Sequence, residues 1–400
     1  MNKLRLVNQY TYQDIFHAYM ECRKEKRNSR SAIAFEVRFE KNLEQLLDEV
    51  NSGTYQIGRS EVFVVEWPKP REIWSALFRD RIVHHLVCRD ITGYFEARFI
   101  EDTFSCIKGR GTLAASNRLV DLHRKITQNY ARDCWYLQVD VKNFFVSIDK
   151  RTLWGFLEKT IGNDTLTSRL MKQIVFNDPT ANPVIKPNSR FHLVPRHKSL
   201  WHTPTDVGLA IGNLPSQFNS NVYMDPFDKF MKHALGARNY VRYVDDAVIL
   251  STDREWLEGL IPKMEQFLLR RLKLELHPNK TKLERASQGI NFVGYIVKPH
   301  RRYTRRTTVS SAKNAASRAR AADLSSVNSY LGIMRHSASR NIRKEICTIT
   351  ALRSGASFDS NFTKVFNPKV NECTESQKTE SCSATLSTMT KPDSPEWLLA

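Results

Sequence analysis

The chain predicts an α+β fold, and three observations carry that reading. Helical periodicity recurs over long stretches, at 31–51, 77–96, 113–129, 153–176 and 254–273. Short β-branched and aromatic runs bounded by turns, at 239–251 and 289–298, read as hairpins and hence as antiparallel sheet. The chain has 400 residues, 41% of them hydrophobic, which is room for two to four domains with a sizeable core and excludes a wholly disordered polypeptide. The formal net charge of +19 points to polyanionic partners, nucleic acid or a membrane surface. No apolar run approaches the 18 residues of a membrane span, and the first twenty residues lack the apolar stretch of a secretory leader. Seven cysteines, an odd number without a CxxC pair, argue against a disulfide framework or a four-cysteine zinc site, so the chain reads as intracellular.

The elements follow in order. Residues 14–27 mix helix formers with the basic run RKEKR at 23–27. Residues 31–51 read as one amphipathic helix, with Phe35, Phe39, Leu43, Leu46 and Leu47 at three- and four-residue spacing, ended by Asn51, Ser52 and Gly53. EVFVVE at 61–66 reads as a strand broken by Trp67-Pro68-Lys69-Pro70, and a helix follows over about 77–96. FSCIKGRGT at 104–112 is a glycine-containing turn with two positive charges; it lacks the Walker pattern and reads most simply as the start of the helix after it. CWYLQVD at 134–140 has strand character and ends in a carboxylate, and a helical stretch at 153–176 is interrupted at Gly162. Residues 177–206 carry five prolines and read as a long loop or hairpin insertion; His192, His197 and His202, five residues apart, do not fit a helical zinc pair. GLAIGNLPSQ at 208–217 leads into a helix running to about 235. From 301 to 345 the charge is +9, and the stretch from 366 on, with ten Ser or Thr, reads as disordered.

Three acids concentrate the chemistry. Asp140 closes one strand, and Asp245 and Asp246 sit at the turn of the hairpin NYVRYVDDAVILS. Aspartate is common in solvated turns. Here, though, both arms of the hairpin are core-like (Val241, Tyr243, Ala247, Val248, Leu250), and adjacent carboxylates at the edge of an apolar sheet are costly unless a cation offsets them. Phosphoryl transfer needs such carboxylates to hold divalent metal.

At this point the sequence resembles the reverse transcriptase family. Tyr243-Val244-Asp245-Asp246 is similar to its YxDD signature. Pro68-Lys69-Pro70-Arg71-Glu72-Ile73 resembles the fingers block that meets the incoming nucleotide, FSCIKGRGT the second block, and LQVDVKNFF at 137–145 the first palm motif. GLAIGNLPSQFNSN at 208–221 resembles the template- and nucleotide-binding block, and LKLELHPNKTKL at 272–283 with INFVGYIV at 290–297 the last palm motif and primer grip. Ile211-Gly212 and Ser216-Gln217 stand where intron and retron relatives usually have QG and SP; with FRDRIVHH at 78–85 and SYLGIMRH at 329–336, the pattern resembles the enzymes of diversity-generating retroelements. There are departures. Ala247 replaces an often larger residue, Asn314-Ala315-Ala316 begins a retron-type motif without completing it, and the length is too short for a maturase plus an endonuclease.

The resemblance implies a right-hand polymerase: a basic extension at 1–30, fingers at 31–136, an antiparallel palm at 137–298 with the 177–206 loop inserted, a basic helical thumb at 299–362, and a tail at 363–400. It implies two Mg²⁺ ions on Asp140 and Asp245 with Asp246 in support, and dNTP substrates. Lys69 and Arg71 would clamp the β- and γ-phosphates, unless they are a solvated basic loop. Phe145 would exclude a 2′-OH, or be a core aromatic; Lys280 would protonate pyrophosphate, or be solvated. Ile211 and Gln217 would line the nascent pair, and Arg301, Arg302, Arg305, Arg306, Arg318 and Arg320 would track the template–primer backbone. Implied partners are a template RNA, its RNA–cDNA duplex and a small basic accessory protein, with oligomers allowed and no membrane. The implied setting is the cytoplasm of a bacterium or archaeon, or a phage-encoded protein. The implied activity is error-prone cDNA synthesis, mutagenic opposite adenine. A related enzyme of phage defence or another retroelement, and an RNA-binding protein with a decayed palm, are the competing functions.

Overall fold

Strands form where β-branched and aromatic residues alternate between turn residues. In chain order they are β1 (Glu61–Val65), β2 (Arg71–Ser75), β3 (Trp135–Asp140), β4 (Val184–Ile185), β5 (Tyr240–Tyr243), β6 (Asp246–Ser251), β7 (Lys282–Arg285), β8 (Ile290–Phe292), β9 (Tyr295–Lys298) and β10 (Arg301–Thr304). This computed structural model describes residues 4–26, 28–67, 69–321 and 323–367, so the expected disordered tail lies outside the described residues from 368 on.

The central sheet has the order β5-β6-β3-β7 and is antiparallel throughout. Both of its faces are covered. Leu137, Val139, Ala247 and Ile249 join the main core, which also takes in Ile82, Leu86, Leu153, Tyr223 and Leu268 from helices Phe78–Glu96, Lys150–Ile161, Leu214–Lys229 and Arg254–Leu272. Tyr136, Val248 and Leu250 face the other way, onto Leu119 and Leu122 of helix Thr112–Ile126 and onto Ile290, Phe292 and Val297. Each buried Val, Leu, Ile or Phe among them contributes roughly 1.5–3 kcal/mol. A charged group inside such a sheet needs a partner, and Asp140 and Asp246 stand at its end.

Two smaller sheets flank it. β1 pairs antiparallel with β2 and parallel with β4, and β8, β9 and β10 form an antiparallel meander. A separate apolar cluster of Ala312, Val327, Leu331, Ile346 and Cys347 binds helices Arg306–Ser317, Ser325–Met334 and Arg340–Ser354 together. The basic stretch expected to be helical thus opens as the edge strand β10.

One expectation is corrected and two are made specific. The helix expected over 31–51 is two, Arg30–Glu36 and Phe39–Ser52. Arg38 leaves helical geometry (φ −130°, ψ 53°), and Asn42 Nδ2 caps the freed Phe35 carbonyl at 2.8 Å. The stretch 153–176, expected to be interrupted at Gly162, is Lys150–Ile161 and Leu166–Phe176, each with its own N-cap, Asp149 and Thr165. The 177–206 insertion is strapped down: Val184 N donates to Ser60 O, Lys186 N to Val62 O, and Leu200 N to the Glu72 carboxylate. Its three histidines are exposed and belong to no metal-ligating group among the described residues.

Candidate functional site

The acidic turn is set by register. Tyr243 pairs with Asp246, so the two-residue loop is Val244–Asp245 and Asp246 is the first residue of β6, not a second turn residue. Asp246 also lies opposite Asp140 in the β3–β6 ladder, and Val141 N donates to Asp245 O at 3.2 Å. Three carboxyl-bearing residues therefore meet at one end of the sheet, and they separate by partner. Asp140 is gripped by Lys280 Nζ at 2.6 Å, from the turn Pro278–Lys280. Asp246 Oδ1 accepts from Gln138 Nε2 at 2.9 Å. Asp245, on the loop between them, makes no ion pair among the described residues.

Burial, then the neighbouring Asp140 charge, pushes the Asp245 carboxyl up to about 6, against the pull of Lys280 and Arg71. Burial pushes Asp246 up to about 7, helped by the charges of Asp245 and Asp140 and opposed by the Gln138 hydrogen bond and Arg305. Such a cluster favours a cation. Asp140 and Asp245 are hard oxygen donors and fit a Mg²⁺-type ion, which takes one or two carboxylates and completes its shell with phosphate and water. With Asp246 turned to Gln138, no three His, Cys, Asp or Glu side chains are gathered to hold a metal among the described residues.

These shifts give a stability prediction. A carboxyl whose folded pKa lies above its unfolded value near 3.9 holds a proton that the unfolded chain has already released. Stability without metal therefore falls as pH rises from about 4 through about 7. Asp246→Asn, which keeps the amide contact, is expected to stabilise the cation-free protein by about 1–3 kcal/mol at pH 8 and by little at pH 5. Denaturant melts with a chelator at both pH values check this, and an equal difference at both refutes it.

The remaining expected residues fall into groups. Lys69 and Arg71 are exposed on the β1–β2 hairpin, and the charge of Arg71 acts on Asp245. Phe145, in the short helix Phe144–Ser147, is half-buried against the main core, and its carbonyl accepts from Leu209 N at 2.8 Å. Ile211 O accepts from Trp74 N at 2.8 Å, and the Asn213 amide bridges Trp74 O and Ala76 N, so this block is hydrogen-bonded to β2. Gly212 (φ +118°) makes that approach possible, because a Cβ there would stand 2.8 Å from Ile73 Cγ2. Gln217 is exposed and lines a cleft of about 380 Å³ with Lys24, Arg81, His84 and His85.

The expected basic track divides. Arg301, Arg306, Arg318 and Arg320 are exposed. Arg302 is a structural residue instead: its guanidinium bonds His336 O, Ser116 Oγ and Asn117 Oδ1 and stacks over Tyr295. Arg305 bonds Asn291 Oδ1 at 2.8 Å, and its charge reaches Asp246 rather than only solvent. Sequence reasoning missed Gln138, for which there was no signal. It also missed Arg242, whose signal was a lone arginine inside the apolar run NYVRYV.

Residues 69–297 match the reverse transcriptase (RNA-dependent DNA polymerase) family. No curated protein matches the chain. Among solved structures it is similar to a telomerase from Candida albicans in complex with a TWJ fragment of telomeric RNA, at 12% identity and TM-score 0.41, over 74% of this chain and 57% of that one. It is also similar to an apo telomerase from Candida tropicalis truncated from its C-terminal domain, at 11% identity and TM-score 0.44, over 61% of this chain and 54% of that one. The chain thus spans a little over half the length of each.

Proposed function

The chain belongs to the reverse transcriptase (RNA-dependent DNA polymerase) family, a family of nucleotidyltransferases with the α+β right-hand fold, and from that premise we propose that it copies RNA into DNA. The observation that carries the proposal is the convergence of Asp140 and Asp245 at one sheet end, with Lys280 and Arg71 facing them. Bound there, Mg²⁺ would supply charge neutralisation and an activated 3′-OH. The chain's own groups do the rest. Lys69 and Arg71 clamp the β- and γ-phosphates, Phe145 lies under the sugar, and Lys280 delivers a proton to the departing pyrophosphate as the primer 3′-OH attacks the α-phosphorus. Exposed Arg301, Arg306, Arg318 and Arg320 hold the RNA–cDNA backbone. The purified chain with Mg²⁺, primed RNA and dNTPs is expected to extend the primer. No extension on any template, a native one with its partner included, would leave a decayed RNA-binding protein.

The finer reading is that of a diversity-generating element: a cytoplasmic enzyme that works with a small basic accessory protein and makes errors opposite adenine. Its support is the block around Ile211 and Gln217, together with FRDRIVHH and SYLGIMRH. An apolar Ile211 offers no side-chain hydrogen bond to the template or nucleotide, and one lost discriminating bond is worth roughly 1 kcal/mol, about fivefold in error. Sequencing cDNA from the unaltered chain and from Ile211→Gln, with the partner supplied equally, is expected to show adenine errors falling about fivefold. Unchanged errors in an active variant would remove the subtype's support at this residue.

A further inference from the structure

Beneath the acidic loop lies a fully buried ion pair that the reaction as described does not use. Arg242 of β5 and Asp228 of helix Leu214–Lys229 are each 1% exposed. The contact is bidentate: Arg242 Nε donates to Asp228 Oδ1 at 2.7 Å, and Nη2 to Oδ2 at 2.6 Å. Tyr240 OH adds a bond to Oδ1 at 2.6 Å, and Thr103 Oγ1 one to Oδ2 at 2.7 Å, so both carboxylate oxygens are doubly satisfied. One guanidinium nitrogen remains, and Nη1 donates it to Val244 O at 2.6 Å.

Val244 is the residue that needs holding. Its φ is +58°, a left-handed conformation that disfavours a β-branched side chain and that hairpin loops usually give to Gly, Asn or Asp. The peptide that follows it carries Asp245. On its far side Asp245 is tied to β3's continuation by the Val141 N–Asp245 O bond. The acid is thus pinned before and after, and the earlier pin is Arg242. The charges acting on the Asp245 carboxyl are Asp140, Lys280 and Arg71, while that of Arg242 is taken up by Asp228.

We infer that Arg242 and Asp228 are a positioning pair that locks the strained Val244–Asp245 turn, and so sets where Asp245 stands relative to Asp140. The inference rests on the polymerase reading of the site. It also accounts for a charge inside an apolar strand, because a cation on this strand can reach a carbonyl of the turn two residues on, and an aliphatic side chain cannot.

The test uses the full chain and the double variant Arg242→Gln/Asp228→Asn, which keeps polar groups in place without the charges. With melting used to confirm folding, kcat for primer extension is expected to fall by about tenfold or more, while KM for primed RNA stays within about twofold. The Mg²⁺ concentration for half-maximal rate should rise. Adding Val244→Gly, which removes the cost of positive φ, should recover most of the loss. Amide exchange over 241–247 should quicken in the double variant while the rest of the chain stays protected. That last readout needs no activity, so an inactive unaltered chain would sink the polymerase reading and still leave the clamp testable. Exchange and Mg²⁺ demand unchanged in a folded variant would overturn the clamp, as would a loss that Val244→Gly does not repair. If the double variant does not fold, Arg242→Lys, which keeps the charge but loses the fork, is read by the same measurements.

Discussion

Asp245→Asn is expected to lower dNTP incorporation by about three orders of magnitude or more, while binding of primed RNA stays within a few fold. The substitution keeps the size of the side chain and the positive-φ turn before it, so the loss reports charge and not collapse. Asp245 is the acid of the three with no side-chain ion pair or side-chain amide among the described residues; Asp140 is paired with Lys280 and Asp246 bonded to Gln138. In the proposed reading, backbone affinity comes from elsewhere, chiefly from the exposed Arg301, Arg306, Arg318 and Arg320. Primer extension in Mg²⁺ beside filter binding of the same RNA separates the two quantities. Substantial extension by the variant would remove Asp245 from the proposed chemistry.

Phe145→Ala is expected to raise use of ribonucleotides relative to deoxynucleotides by up to about 10²-fold, the scale on which a shaped apolar wall rejects one added hydroxyl. The ring lies five residues past Asp140, and its backbone is fixed by the Leu209 N bond to its carbonyl. It also packs on the main core, and Phe144 stands beside it at 5.4 Å between ring centroids. A purely structural ring would lose stability on truncation and leave the rNTP/dNTP ratio unchanged, so selectivity measured by single-nucleotide extension decides between the two roles.

Much of this arrangement was legible because it is local. The run YVRYVDDAVIL declares a hairpin, and strand alternation carries Asp140 to the end of β3. What was not legible is set by contacts distant in sequence. The placement of Asp246 on a strand follows from pairing with Tyr243 and Asp140, which periodicity does not specify. The break at Arg38 is invisible because Phe35, Phe39 and Leu43 keep their helical spacing across it. β2 escaped notice because REIWS is short and half charged, and it becomes a strand only through β1 on one side and the backbone at 211 on the other. The partner of Arg242 lies 14 residues away on another element.

That last edge of β2 has a mechanical consequence. Arg71 begins the strand, and Trp74 within it donates to Ile211 O while receiving the Asn213 amide. Arg71, proposed to meet the phosphates, and the 211–213 backbone are thus two ends of one lever. Neither can shift toward a bound nucleotide without carrying the other. Substitutions at Ile73 and Gly212, which nearly touch across the seam, should therefore be epistatic, their effects on nucleotide choice failing to add. Selection acting on one side of this seam has to carry the other side along with it.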